Sequence, residues 1–131
     1  MITAGDLREL AIDHKELGSK ILEPKSGEDV TFMKGGFKSA DDDANIGANG
    51  TRINKKNRFP WSLECTIEEN FGDLDYLQNL TESTIEATIT ATFMNGEIRV
   101  GQGLPVADIS SNMQTGVMGL KFQGGGTFEL I

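Results

Sequence analysis

The chain has 131 residues, of which 37% are hydrophobic and 16 are glycine, so it fits one domain with a modest core and many turns. Its net charge of −8 lies in residues 61–131, where Arg99 and Lys121 are the only basic residues, and this half is therefore a poor binder of phosphate. The sequence has no apolar run long enough for a membrane span and no secretory signal pattern, and its single cysteine excludes an intrachain disulfide framework.

The N-terminal segment, residues 1–18, predicts a short amphipathic helix. Leu7, Leu10 and His14 recur at helical spacing within residues 6–17, and a glycine follows as a stop signal. A helix this short is marginal by itself. We therefore expect its leucine stripe to dock on the domain or on a neighbouring subunit.

Two short strands and a long loop follow. Residues 20–22 and 30–34 are strand candidates, and the Pro-Lys-Ser-Gly sequence between them predicts a hairpin turn. From residue 35 to 58, Gly, Asn, Asp and Lys replace most apolar residues. Loops of this length are uncommon in compact domains and often functional, so we expect loop 35–58 to contact a neighbouring subunit.

A strand and a second helix are predicted next. Apolar and polar residues alternate over residues 62–68, which predicts a half-buried strand with Cys65 on its apolar side. A thiol in that position acts as a small hydrophobic group. Asn70 is placed to cap a helix over residues 71–80, with Phe71 on its apolar side.

The strongest local pattern is a β-hairpin over residues 84–103. Threonines alternate with apolar residues along its first strand, and Asn95-Gly96 is the dipeptide of a two-residue type I′ turn. The opposite pairs predicted from such a turn are Phe93 with Ile98, Thr92 with Arg99 and Ala91 with Val100. This register would give one apolar face and one polar, threonine-rich face.

Further strands are predicted at residues 106–110, 116–123 and 127–131, after a break of the ladder at Leu104-Pro105. Many short alternating strands, two short helices and abundant turns predict a mainly β fold. We expect an antiparallel β-sandwich or barrel with one or two short α-helices, as a single domain over residues 1–131.

Isolated polar residues give weak signals for chemistry. His14 has no second histidine or cysteine near it in sequence, so packing is the favoured role. Asp41, Asp42 and Asp43 resemble the start of a calcium loop, but the glycine comes one residue late and Arg52 occupies the position of the bidentate glutamate. A solvated acidic turn is the better interpretation.

Arg52, Lys55, Lys56 and Arg58 form a basic cluster. In an acidic chain their binding to nucleic acid would be weak, so pairing with an acidic surface of a neighbouring subunit is favoured. The Gly-Gln-Gly sequence at residues 101–103 is half of a dinucleotide fingerprint and is interpreted as a strand irregularity. No nucleophile has an identifiable base, so we expect no enzyme, cofactor or metal.

Five stretches of the chain occur in an order typical of one family. They are DVTFMKGGF at 29–37, the Trp61 strand running into ENFGDLDYLQ at 69–78, the threonine-rich hairpin with its Asn95-Gly96 turn, VGQGLPVADI at 100–109 and TGVMGLKFQGGG at 115–126. Together they resemble the tail tube proteins of bacteriophages, most closely the small tube proteins of contractile-tailed phages. The resemblance spans roughly residues 28–131.

The resemblance implies a protomer that closes into hexameric rings, whose inner sheets join edge to edge as one β-barrel around a lumen. Stacked rings would form the tube of a contractile tail, contacting the sheath, baseplate and tail-terminator proteins. The tube would be assembled in the bacterial host cytoplasm, belong to the virion tail and conduct DNA without binding it. No cofactor or membrane is implied.

A polar, acidic face suits such a lumen because it repels phosphate. The lumen candidates, on the assumption that strand 62–68 and the hairpin share an inner sheet, are Glu64, Thr66, Glu68, Glu86, Thr88 and Thr90. The inter-subunit or inter-ring candidates are Asp41, Asp42, Asp43, Arg52, Lys55, Lys56 and Arg58. One alternative is the tube of a tailocin or type VI-like secretion machine. An alternative of a different class is a monomeric β-sandwich binding module, such as a carbohydrate binder.

Overall fold

The computed structural model describes residues 7–25, 30–39, 45–46, 48–50, 52–53, 56–106 and 109–131. Within these ranges the chain forms one α-helix and many short strands, which confirms the predicted mainly β fold. The elements are β1 Leu7–His14, β2 Gly18–Pro24, β3 Thr31–Met33, β4 Gly36–Ser39, β5 Asn45–Ile46, β6 Arg52–Ile53, β7 Lys56–Phe59, β8 Trp61–Glu68, α1 Asp73–Glu82, β9 Ala87–Phe93, β10 Ile98–Pro105, β11 Val117–Gly124 and β12 Glu129–Leu130.

Six antiparallel strands close into a barrel in the order β11-β10-β9-β1-β2-β8, and β8 pairs with β11 to complete the circle. That last ladder is the longest, running from Trp61 opposite Gly124 to Glu68 opposite Val117. β12 adds to the edge of β10, and β3 adds to β8. Closure leaves these six strands few free backbone groups, which removes most of the edge that an open sheet would expose.

The core is filled by alternate residues of the barrel strands and by the helix. Along β8 the predicted alternation is confirmed, since Leu63, Cys65 and Ile67 are buried. Burial raises the pKa of the Cys65 thiol to about 12, so this side chain is a core hydrophobic group rather than a reactive thiolate. Leu77 and Leu80 of α1 are also fully buried in the same core.

Trp61 lies in the first pair of the β8–β11 ladder, opposite Gly124, and is fully buried. Its ring stacks on Phe128 with centroids 4.7 Å apart, and its indole N–H donates to the backbone oxygen of Gln102 at 3.1 Å. Glycines surround the ring because a Cβ has no space there. A Cβ on Gly101 would lie 2.8 Å from the indole, and one on Gly124 would lie 1.9 Å from the Gln102 oxygen. The 101–103 glycines therefore allow close packing rather than mark a strand irregularity.

The prediction of an N-terminal helix over 6–17 is wrong for its described part, residues 7–17, because 7–14 form strand β1 and a turn follows. The helical spacing of Leu7 and Leu10 comes from a β-bulge. Leu7 lies opposite Phe93 but Glu9 lies opposite Thr92, so one extra residue brings both leucines to the buried face. Three-residue spacing on a bulged strand thus has the appearance of a helix.

The predicted hairpin between residues 20–22 and 30–34 is also wrong, although both strands form. The end of β2 pairs with Ile67 and Glu68, whereas β3 pairs with Ser62 to Glu64. Both strands lie in succession along one edge of β8, because β11 occupies the other edge. The chain therefore follows β8 instead of folding back on β2.

The predicted loop 35–58 contains strands in its described residues. β4 pairs with β7 from Gly36 opposite Phe59 to Ser39 opposite Lys56, and β5 pairs with β6 inside that pair. We call the nested strands β4 to β7, residues 36–59, the arm. The arm continues directly into β8 through Pro60, so its base is fixed to the barrel.

The second helix begins two residues later than predicted, at Asp73. Its N-cap is Gly72 with φ of 84°, without a side-chain cap, so the prediction that Asn70 caps it is wrong. The N–H of Asn70 instead donates to the Asp73 carboxylate at 2.8 Å, and this buried carboxylate also pairs with Lys20 at 3.0 Å. Phe71 consequently precedes the helix and is fully exposed.

The C-terminal strands agree with the sequence in part. β11 is confirmed with its apolar side inward, but the ladder does not break at Leu104-Pro105, since Pro105 lies opposite Phe122. Residues 106, 109 and 110 lie outside any strand, and 107–108 lie outside the described residues. The last strand is confirmed over Glu129–Leu130 alone.

Candidate assembly surfaces

The central hairpin forms, but its turn differs from the predicted one. The Phe93 N–H donates to the Glu97 oxygen at 2.9 Å, and the Gly96 N–H donates to the Phe93 oxygen at 3.0 Å. The loop therefore has three residues, Met94 to Gly96, with Gly96 at a φ of 90°. This is the pattern of a three-residue hairpin loop with glycine in the left-handed region.

The longer loop shifts the register by one residue, so the predicted opposite pairs are wrong. Ile98 lies opposite Thr92 and Val100 opposite Thr90, and these aliphatic residues therefore share the threonine side of the sheet. Arg99 lies opposite Ala91 on the core side.

Arg99 is stabilised there by contacts with several groups. It pairs with Glu97, donates to the Phe128 oxygen at 3.0 Å and lies 4.9 Å from the centre of the Phe32 ring.

The outer side of strands β2, β1, β9 and β10 forms one broad surface, which we call the threonine face. Its outward residues, taken from the strand register and burial pattern, are Ser19, Ile21, Arg8, Glu9, Ala11, Asp13, Thr88, Thr90, Thr92, Ile98, Val100 and Gln102. All of them except Arg8, at the β1 bulge, are neutral or acidic. Aliphatic side chains lie on the two outer strands, Ile21 on β2 and Ile98 and Val100 on β10, and the threonines of β9 lie between them.

The predicted lumen residues do not lie together. Thr88 and Thr90 belong to the threonine face, whereas Glu64, Thr66 and Glu68 point outward from β8, which is three strands away from β9 in either direction around the barrel. The assumption that the two strands share an inner sheet is therefore wrong.

The predicted lumen residues Glu64 and Glu86 lie in different surroundings. Glu64 pairs with Lys121 at 3.4 Å across the β8–β11 ladder, and both side chains are exposed. Glu86 is exposed just before β9 begins.

The predicted inter-subunit residues lie on or near the arm. Asp41, Asp42, Asp43 and Lys55, and with them the candidate calcium loop, lie outside the described residues. Arg52 belongs to β6 and Lys56 to β7. Arg58 is exposed, with its guanidinium 5.3 Å from the centre of the Phe37 ring. Phe37 is itself 63% exposed.

An apolar cleft of about 510 Å³ lies where the arm joins the barrel, and we call it the arm-base cleft. Its walls include Phe37, Arg58, Phe59 and Pro60, and the glycine-rich segment 125–127 forms the opposite side. Sequence periodicity did not indicate this cleft, because its residues come from an irregular stretch and a glycine run. The sequence signal for the cleft is the pair Phe59-Pro60 at the end of the arm.

A second cleft of about 400 Å³ lies between the end of β8 and the start of α1, and we call it the helix-start cleft. Phe71 and Met113 line it, and they are among the most exposed apolar side chains of the described residues. Glu69 lines the same cleft and accepts a hydrogen bond from the Ser111 hydroxyl. Gly72 was the sequence signal, because a glycine directly after Phe71 favours a later helix start.

His14 is buried, so its predicted packing role is confirmed, although on a strand. Its Nδ1 accepts the backbone N–H groups of Glu16 at 3.1 Å and Leu17 at 3.0 Å. The proton must then be on Nε2, which lies 3.0 Å from the Ile85 oxygen and 3.1 Å from the Ser83 hydroxyl. The neutral ring thus joins the β1–β2 turn to the segment before β9.

Two further properties concern the described part of the chain only. Its histidine, cysteine and acidic side chains form no group of three or more that could hold a metal ion. Its one helix is too short and too polar to cross a membrane.

A scan of the chain against protein-family models found no match, and a search of curated proteins found none either.

Proposed function

We propose that this chain is a structural subunit that assembles into hexameric rings and stacks into a hollow tube, of the kind found in contractile phage tails. The observation that carries the proposal is the threonine face. It is a wide, four-stranded surface whose outward residues are neutral or acidic with the exception of Arg8, on the outside of a barrel that already has its own core.

Such a surface is suited to line a conduit for DNA. A duplex binds proteins mainly through phosphate contacts to Lys and Arg, and among the outward residues defined above Arg8 alone could make such a contact. The neighbouring Glu9 offsets its charge, Asp13 repels phosphate, and the aliphatic side chains offer no hydrogen bonds to hold it. The lumen in this proposal is therefore built from the threonine face alone, and Glu64, Thr66 and Glu68 of β8 lie on another surface of the tube.

Two further features support an oligomeric rather than a monomeric state. The described strands of the arm pair with one another rather than with the barrel strands, and such an element is available to contact a neighbouring copy. Large apolar side chains are exposed at several places, among them Phe71, Met113, Phe37 and Ile21. Exposed apolar residues in groups mark interaction sites. In this proposal the sheath, baseplate and tail-terminator proteins are partners of the tube, which belongs to the virion tail.

The test is the assembly state of the purified protein. Electron microscopy and light scattering over a range of concentrations should show rings or tubes with a central channel. A monodisperse monomer at millimolar concentration would refute the proposal and favour the binding module, for which the arm-base cleft provides a site of suitable size. A tube would leave open the tailocin and secretion-machine alternatives, which the neighbouring genes would separate.

A further inference from the structure

Two unlike apolar sites lie at opposite ends of the β8–β11 ladder. The arm-base cleft adjoins Pro60 and Gly125, next to the first pair of the ladder, Trp61 with Gly124. The helix-start cleft adjoins Glu69 and Gly116, next to the last pair. Eight paired positions separate the sites, which corresponds to about 25 Å at 3.3 Å per residue.

The two sites are complementary in shape. At the helix start, Phe71 extends into solvent without cover from its own chain, because Gly72 turns the backbone before the helix begins. At the arm base, the cleft is concave and lined by Phe37, Phe59 and Pro60. Its volume of about 510 Å³ is ample for one phenylalanine ring.

The two sites are also complementary in charge. Glu69 lines the helix-start cleft, and Glu68 and Glu23 are exposed beside it as an opposite pair at the end of β8. Arg58 lines the arm-base cleft, and Lys34 is exposed just before β4 begins. An acidic apolar projection therefore matches a basic apolar recess, which favours one orientation of contact over its reverse.

We propose that the occupant of the arm-base cleft is a second copy of this chain, which inserts Phe71 beside Arg58 and brings its Glu69 to the guanidinium. Because the two surfaces differ, each copy offers one projection and one recess, and the contact is head-to-tail. Each joined pair still has one unused projection and one unused recess, so further copies can add at both ends. It deepens the proposed function by assigning a contact between successive copies in the tube.

The test uses two variants that each lose one surface. Phe71→Ala removes the projection and keeps the recess. Phe37→Asp puts a carboxylate in the recess, where it also neutralises Arg58, and keeps the projection. Both side chains are largely exposed, so neither change should unfold the barrel. Far-ultraviolet circular dichroism and the fluorescence of Trp61 verify the fold.

Each variant alone should assemble at least tenfold less readily than the unmodified chain, measured as the concentration at which light scattering rises. An equimolar mixture should form assemblies that contain both variants, because the intact projection of one variant fits the intact recess of the other. Growth through this contact should stop after one such step, since the remaining projection and the remaining recess are both damaged. Leu17→Ala, which changes a half-exposed leucine outside both clefts, is the control and should assemble normally.

The outcomes separate this contact from the tube itself. If the unmodified chain forms tubes and both variants do so equally well, the head-to-tail contact is refuted and the tube proposal stands. If the mixture forms no assembly that contains both variants, the contact is refuted as well. If the contact holds but the unmodified chain forms solid filaments without a channel, the tube proposal fails.

A charge exchange gives a second measurement. Arg58→Glu should weaken assembly and reduce its dependence on salt. Mixing this variant with Glu69→Arg should restore mixed assemblies, because opposite charges meet at every contact when the two variants alternate. Binding of small aromatic or saccharide ligands to the cleft, detected by calorimetry at concentrations where the copies do not compete for it, would overturn the assignment to a second copy.

Discussion

Gly124→Ala should separate strands β10 and β11 of the barrel. A Cβ at this position would lie 1.9 Å from the Gln102 backbone oxygen and 2.7 Å from the indole nitrogen of Trp61, so the strands β10 and β11 must move apart by more than 1 Å. That movement breaks the hydrogen bond from the indole to Gln102, leaving a buried donor unpaired at a cost of about 1–3 kcal/mol. Overpacking adds about 1–3 kcal/mol. We expect a loss of about 3 kcal/mol in the free energy of unfolding.

The neighbouring residue provides a matched control. A Cβ on Gly125 meets no atom within 4 Å, and its φ is not in the left-handed region, so Gly125→Ala should change stability by at most about 0.5 kcal/mol. Urea denaturation followed by the fluorescence of Trp61, the chain's single tryptophan, measures both variants. Equal midpoints for the two variants would refute the account of Trp61 as a ring enclosed by glycines.

Three further predictions test the core and the threonine face. Burial raises the pKa of Cys65 from an ordinary 9.0 to about 12, so above about pH 9 the unfolded thiol loses its proton while the native thiol keeps it. The free energy of unfolding should therefore fall as the pH rises above about 9. Cys65→Ala should reduce the slope of this free energy against pH by about 1.4 kcal/mol per pH unit, measured by urea denaturation. His14→Leu leaves the N–H groups of Glu16 and Leu17 without their acceptor and should cost about 3 kcal/mol by thermal unfolding, and an unchanged midpoint would contradict the assigned contacts. The double substitution Thr88→Lys and Thr90→Lys should permit tube assembly but slow DNA ejection. The double substitution Glu64→Lys and Glu68→Lys, on the other side of the barrel, should leave the rate of DNA ejection unchanged. Equal effects of the two pairs would refute the choice of lumen.

Strands with strict alternation were predictable from the sequence. β8 and β11 follow the predicted bounds within one residue, and their inward residues are the predicted ones, such as Leu63 and Phe122. Alternation is a sufficient signal where one face is buried along the whole strand. The fold class follows from the number of such strands, since several two-sided strands need a common core.

Irregular positions were not predictable in the same way. The bulge at Arg8 moved Leu7 to the face of Leu10 and gave a strand the spacing of a helix. The third loop residue, Met94, moved every pair of the central hairpin by one position. Both are insertions of a single residue, and in a strand such an insertion exchanges the two faces. Local pattern therefore identified the strands better than it identified their faces.

The shift in register matters most for function, because it decides what the threonine face presents to its surroundings. In the predicted register, Arg99 would lie beside Thr92 on the outward side, where a guanidinium would bind phosphate. In the structure Arg99 lies on the core side, held by Glu97 and the Phe128 oxygen, and Ile98 takes the outward place. The one-residue loop extension thus removes Arg99 from the proposed lumen and replaces it with a neutral side chain, which leaves Arg8 as the basic residue of this face and weakens its binding of phosphate.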